Sequence, residues 1–274
     1  MSEDPKQTEA GFGKANEEEL AEGTLISHIV ELRQRLMYAT LAVGLVFICL
    51  VPFAQEIYTT VADPIMDSLT DGAEMQVIGI ASPFLTPFKT TLFAAIFIAM
   101  PVVLYQVWHF VAPGLYLNEK RFAYPLIISS IVLFYCGMAF AYFVVFPLVF
   151  GFFAAATPEG INWQPDINEY LDFILTIFLA FGMAFEVPIA TFMLIWSRLV
   201  SIETLGKARA YVFLGAFIFG MFLTPPDFIS QTLLAVPMYL LYEGGLILSR
   251  IVLAERFKTD KEERDAEEDE DEED

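Results

Sequence analysis

Two cysteines and two histidines are the whole supply of thiol and imidazole ligands in a chain of 274 residues. Cys49 and Cys136 are too few for a disulfide-stapled scaffold. Each lies inside an apolar run, where a cysteine is expected to act as a small packing residue rather than a metal ligand. His28 and His109 stand 81 positions apart, which matches no metal-ligand spacing. Basic residues are scarce, with 15 Lys+Arg against 35 Asp+Glu and a net charge of −20. Nothing here builds an extended basic face, so nucleic acid is excluded as a partner. Gly13-Lys14-Ala15 and Gly206-Lys207-Ala208 lack the Ser/Thr and the upstream glycine of a phosphate loop. No Ser-His-Asp pattern appears either. The expectation is a protein that is not an enzyme and carries no cofactor or metal.

What the chain has is apolar mass. Hydrophobic residues make up 56% and charged residues only 18%, against averages of roughly 45–50% and about 25%. Such a composition and a charge of −20 exclude each other in one compact body, so they should occupy different segments. Residues 1–25 hold seven acids and two lysines, and residues 255–274 hold thirteen acids and four Lys/Arg. The remaining 229 residues carry only −6. Three segments follow: an acidic disordered tail over 1–25, a membrane domain over 26–250, and a second acidic disordered tail over 251–274. Residues 1–25 also lack the apolar core of a cleavable leader.

A membrane helix needs about 20 mostly apolar residues. Six runs are candidates, near 36–53, 90–108, 125–146, 170–196, 210–224 and 228–248. They are continuous rather than alternating and too long for barrel strands of about 9–11 residues. The fold class is therefore an all-α polytopic membrane protein with six transmembrane helices, the fifth and sixth of them short. Lys and Arg set the orientation. The N-terminal region has Lys6, Lys14, Arg33 and Arg35, and the second-to-third loop has Lys120 and Arg121. The fourth-to-fifth loop has Arg198, Lys207 and Arg209, and the C-terminal end has Arg250, Arg256, Lys258, Lys261 and Arg264. The other side has only Lys89, so both termini are expected in the cytoplasm. Fifteen residues lie between Arg209 and Pro225. At 1.5 Å each they span about 22 Å, short of a hydrocarbon core of roughly 30 Å. Lipid must thin there, or Arg209 must snorkel, or neighbouring helices must shield it.

Glu186 lies inside the fourth run, 16 residues from Tyr170 and 10 from Trp196. A carboxylate at that depth is costly and marks either a functional contact or a protonated group bonding a neighbouring helix. Pro188 frees the carbonyl of residue 184 and predicts a bend. Glu31 and Arg35 are an i, i+4 pair, while Ile29, Leu32 and Leu36 share one face. That segment is either an interfacial amphipathic helix or a recognition surface built on Glu31. Pro113-Gly114 reads as a turn, and Asn118 can cap a helix whose first turn holds Glu119, which is either a recognition group or a plain first-turn acid. Trp108 and Tyr116 read as interfacial belt residues. Pro225-Pro226-Asp227 is a tight turn in which Asp227 caps the sixth helix. Gln231, just inside the apolar segment, reads as a contact residue.

These blocks together resemble the TatC family, the large membrane subunit of the twin-arginine protein translocase. The likeness covers roughly residues 25–251 and is similar to proteobacterial members. It rests on Ser27-His28…Glu31-Leu32-Arg33…Arg35-Leu36 and on Tyr105-Gln106…Trp108…Phe110…Pro113-Gly114-Leu115-Tyr116…Glu119. It continues through Phe181-Gly182…Phe185-Glu186…Pro188 and Thr224-Pro225-Pro226-Asp227…Ser230-Gln231…Pro237…Tyr242-Glu243. The resemblance implies a receptor for signal peptides bearing paired arginines and a core subunit that exports folded proteins across the bacterial cytoplasmic (inner) membrane on the proton gradient. It implies that Glu119, assisted by the segment around Glu31, contacts the arginine pair, with Arg33 orienting Glu31 or a partner and Phe110 packing the peptide. It further implies TatA-type and TatB-type single-span partners, a homo-oligomeric assembly, and a concave groove with Glu186 and Gln231 as contacts. Two other classes stay open on the residues alone. One is a proton-coupled small-solute transporter using Glu186; the other is a purely structural scaffold.

Overall fold

The architecture is given by a computed structural model. It describes the backbone of residues 5–66, 76–111, 120–158, 164–197, 199–223 and 228–273. Side chains are described over 28–62, 76–111, 124–158, 164–197, 199–223, 228–229 and 231–253. Among these residues the protein is almost wholly helical, as hydrocarbon demands of a backbone that cannot bond to water. The one strand-like contact among them is an isolated parallel bridge between Gln76 and Asp166.

In chain order the helices are α1 (Pro5–Leu50), α2 (Ala54–Met66), α3 (Ser82–Val111), α4 (Lys120–Phe140), α5 (Phe146–Ala156), α6 (Ile167–Ala184), α7 (Val187–Trp196), α8 (Ile202–Lys207), α9 (Arg209–Leu223) and α10 (Phe228–Glu273). A 3-10 turn, Val51–Phe53, joins α1 to α2, and a π-turn, Ala141–Val145, joins α4 to α5. Among the described residues five stretches are long and apolar enough to cross a membrane: His28–Ala62, Ser82–Val111, Tyr124–Ala156, Ile167–Trp196 and Gln231–Leu253. Arg209–Leu223 is a shorter apolar helix.

Several sequence expectations change. The fifth helix is short, at 15 residues, but the sixth is not: Gln231–Leu253 is an apolar stretch of 23 residues. Neither Glu243 nor Arg250 breaks the helix, and Pro237 is accommodated within α10. The segment directly after the first run is helical, with Ile57, Tyr58 and Val61 half-buried and Ala62 buried on one stripe of α2 at helical spacing. Trp108 is buried instead of standing in an interfacial belt. Cys49 and Cys136 are exposed on their helices, so they do not pack the interior.

The chain divides into two compact units. One comprises residues 1–52 and 91–127, the other 53–90 and 128–274. Within the second unit, α10 packs on α7 and α9. A buried cluster of Ile195, Tyr242, Leu246 and Leu253 is joined by Val187, Phe192 and Trp196. Gly245 allows the α7–α10 approach: a Cβ there would lie 2.8 Å from Pro188 Cα and 3.1 Å from Thr191 Cβ. Tyr242 adds a bond from its hydroxyl to the Leu205 carbonyl at 2.7 Å.

In the same unit two connecting segments are clipped together. Gln76 N–H donates to the Pro165 carbonyl at 3.1 Å, and Ile167 N–H donates to the Gln76 carbonyl at 2.9 Å. Asp166 caps α6 by accepting from the Asn168 and Glu169 amides at 2.9 and 3.3 Å, and its other oxygen accepts from Ile78 N–H at 3.0 Å. These amides, Ile78 first, hold the Asp166 carboxyl below its usual value.

Candidate functional site: a carboxylate face and an intramembrane acid

In the first unit, polar groups of the middle of α1 meet those at the C-terminal end of α3. Glu31 and Arg35 follow one another on one face of α1, and Arg35 Nη2 donates to Glu31 Oε1 at 3.2 Å. Arg35 Nη1 also reaches Gln106 Oε1 on α3 at 3.4 Å. The His28 ring stacks on Phe110 with centroids 4.4 Å apart and planes 25° from parallel. Tyr105 lies against His109 at 5.7 Å. The outcome reverses the simple amphipathic picture. Glu31 and Arg35 are half-buried, while Ile29, Leu32 and Leu36 are exposed at 64%, 47% and 63%. An aqueous helix would hide that apolar face in its own core, so its exposure fits a helix surrounded by lipid.

Arg33 stands apart from Glu31. It is exposed on the outer face of α1 with Leu36, Met37, Leu41 and Leu45, where a shallow apolar depression of about 1000 Å³ opens. Two positions along a helix turn a side chain through about 200°, so it is Arg35 that touches Glu31. Sequence reasoning used Arg35 only as a pair partner and passed over Gln106; the i, i+4 spacing was the available signal. Glu119, Pro113 and Gly114 lie outside the described residues, as do Pro225 and Asp227.

In the second unit, α6 and α7 meet at a break centred on Phe185 and Glu186. Pro188 falls in the first turn of α7 and lacks the N–H that would have continued α6. The break expected from Pro188 is thus present and carries Glu186 at its corner. Ser130 on α4 is fully buried and donates to Glu186 Oε2 at 2.5 Å. Glu186 Oε1 is buried without a hydrogen-bond partner among the described residues. The approach depends on small residues. A Cβ on Gly182 would lie 2.5 Å from Phe134 Cε2, and one on Gly137 would meet the Phe181 carbonyl. These three pairs descend in step along antiparallel helices, in the small-residue packing common between membrane helices.

The fifth and sixth helices form an antiparallel hairpin. Gln231 Nε2 donates to the Phe217 carbonyl at 2.7 Å, so its amide is engaged within the hairpin. Arg209 pairs with Glu243 at 2.6 Å, and the Tyr239 hydroxyl donates to Glu243 at 2.8 Å. Arg209 at the foot of the short helix is therefore neutralised by a neighbour on the adjacent helix, a pairing the sequence reading missed. Lys89 of α3 forms an ion pair with Asp172 of α6. No group of three or more metal-ligating side chains occurs among the described residues.

The family model for "Sec-independent protein translocase protein (TatC)" matches residues 27–237. A Sec-independent protein translocase protein TatC from Azotobacter chroococcum is 59% identical over 222 residues, which cover 81% of this chain and 87% of that protein. The protein of the same name from Haemophilus influenzae is 53% identical over 226 residues, covering 82% and 88%. Among solved structures, the crystal structure of a twin-arginine translocase receptor, TatC, is 34% identical with a TM-score of 0.74. It covers 82% of this chain and 98% of that one. A family match spanning the helical domain, relatives of this identity and a shared fold agree: this chain belongs to the TatC family of protein translocase components.

Proposed function

We propose that this subunit receives twin-arginine signal peptides at its cytoplasmic face and serves as the core on which folded cargo is exported across the bacterial cytoplasmic membrane. The proton gradient supplies the driving force in this reading, with TatA-type and TatB-type single-span subunits as partners in an oligomeric complex. Both termini lie in the cytoplasm, as the Lys/Arg distribution favours.

The observation that carries this reading is the half-exposed carboxylate of Glu31, standing in the unit that also holds the Phe110 ring. A guanidinium is always charged and donates in a planar fork that matches a carboxylate, which lysine cannot reproduce. Glu119 supplies the second acid, so that two arginines engage two carboxylates. Phe110 packs the peptide, and Arg33 assists from the outer face of α1. Glu186, with one carboxylate oxygen unengaged among the described residues, is the polar contact for a single-span partner.

A solute transporter using Glu186 finds less support, because one oxygen of Glu186 is already bonded to the buried Ser130. Photocrosslinking of a twin-arginine peptide to the purified complex tests the reading. Attachment near Glu31 and Phe110 is expected, and a Lys-Lys peptide should crosslink far less.

A further inference from the structure

Arg35 occupies the carboxylate that the preceding reading gives to the peptide. The contact is a single bond, Nη2 to Glu31 Oε1, at 3.2 Å. That is long for a charge-assisted bond and not the two-bond fork a guanidinium can make. Nη1 reaches only as far as Gln106 Oε1, at 3.4 Å, and Nε is buried without a hydrogen-bond partner among the described residues. The Glu31 side chain is 36% exposed and that of Arg35 24%. Glu31 is thus reachable from outside and already engaged, by a guanidinium that it satisfies poorly.

The geometry points to Arg35 as an internal stand-in for the ligand: it holds Glu31 until a peptide cation displaces it, and so sets an affinity threshold that an arginine clears at lower concentration than a lysine. The inference rests on Glu31 being a peptide-binding carboxylate and adds an affinity threshold to it. A bare carboxylate attracts any cation, lysine included. An i, i+4 pair of this kind shifts an equilibrium by about twofold. A lysine offering one point contact gains little over the arginine already there. A peptide guanidinium that closes both bonds of the fork gains more, because it improves on a poor contact. Gln106 gives the displaced Arg35 an acceptor, so release does not strand a half-buried charge.

Fluorescence anisotropy on the full-length chain in lipid nanodiscs tests this. The probes are synthetic peptides with Arg-Arg or Lys-Lys ahead of an apolar segment. Arg35→Gln is expected to tighten binding of both peptides by a similar factor, about twofold or more, because either cation must displace the same pair. The ratio of the two affinities is expected to stay the same, while the Lys-Lys peptide binds at a lower concentration than it does to the unaltered chain. Arg35→Lys, which keeps the charge and the helix pair, is expected to give a smaller gain of the same sign and guards against misfolding of the first variant. In a Glu31→Gln background, removing Arg35 is expected to change nothing. If Glu31→Gln weakens Arg-Arg binding but neither Arg35 variant tightens it, Arg35 merely positions Glu31 and the inference is overturned while the reading of Glu31 stands. If Glu31→Gln leaves Arg-Arg binding unchanged, the reading of Glu31 fails and takes the inference with it.

Discussion

Ser130 on α4 and Glu186 at the α6–α7 break meet at 2.5 Å, with the serine fully buried and the acid at the corner of a broken helix. Removing the serine hydroxyl leaves the carboxyl without its donor in a setting with little water. Ser130→Ala is expected to lower stability by about 1–3 kcal/mol, the cost of stranding a buried polar group. Thermal unfolding in detergent checks this. Glu186→Gln, whose amide can still bond Ser130, is expected to cost less than Ser130→Ala, while reducing co-purification with a single-span partner.

Gly182 holds the neighbouring step of the same crossing. A Cβ there would come 2.5 Å from the Phe134 ring, and Phe134 is buried and has nowhere to retreat. Gly182→Ala is expected to cost about 1–3 kcal/mol by overpacking. A Cβ on Gly151 would meet nothing within 4 Å, so Gly151→Ala is expected to leave the melting temperature unchanged or slightly raised.

Arg209 and Glu243 offer a test by sign. Glu243→Gln leaves Arg209 facing the apolar hairpin without its counter-charge, and Arg209→Met leaves Glu243 with Tyr239 alone. Each single change is expected to destabilise. The double change is expected to be milder than the two single effects added, because it removes both charges together. Strict additivity in thermal unfolding would show that the pair does not act as a unit.

Asp166 gives a pH dependence. Its carboxyl is held below the usual value mainly by the Ile78 amide, with Glu169 and Asn168 amides adding to it. The unfolded chain therefore binds the proton more readily. The stabilisation is complete above the ordinary carboxylate pKa and is lost as pH falls through the lower folded value. Slow hydrogen exchange at the Ile78 and Asn168 amides is expected to persist at mildly acidic pH and to fail only below the normal carboxylate range. Asp166→Ala is expected to abolish that protection at every pH.

Much of the fold was legible because lipid imposes a simple rule. Long apolar runs must be helices, and five of the six runs correspond to spanning stretches with the other a 15-residue helix. Pro188 announced the break that carries Glu186, since a missing N–H has a local consequence. What a single sequence could not show was pairing between distant helices. Ser130 with Glu186, Arg209 with Glu243 and Arg35 with Gln106 each join residues at least 34 positions apart. The exposure of Cys49 and the burial of Trp108 were misread for a related reason. In a membrane, apolarity does not distinguish the lipid-facing side of a helix from the packed side.

Recognition of an arginine pair by carboxylates at the cytoplasmic face is tested most directly by site-specific crosslinking. A twin-arginine peptide is crosslinked to the full-length chain and to the Glu31→Ala, Glu119→Ala double variant. Strong crosslinking to the unaltered chain is predicted, with loss of most of it in the double variant and folding intact by thermal unfolding. Undiminished crosslinking to the folded double variant would contradict carboxylate recognition.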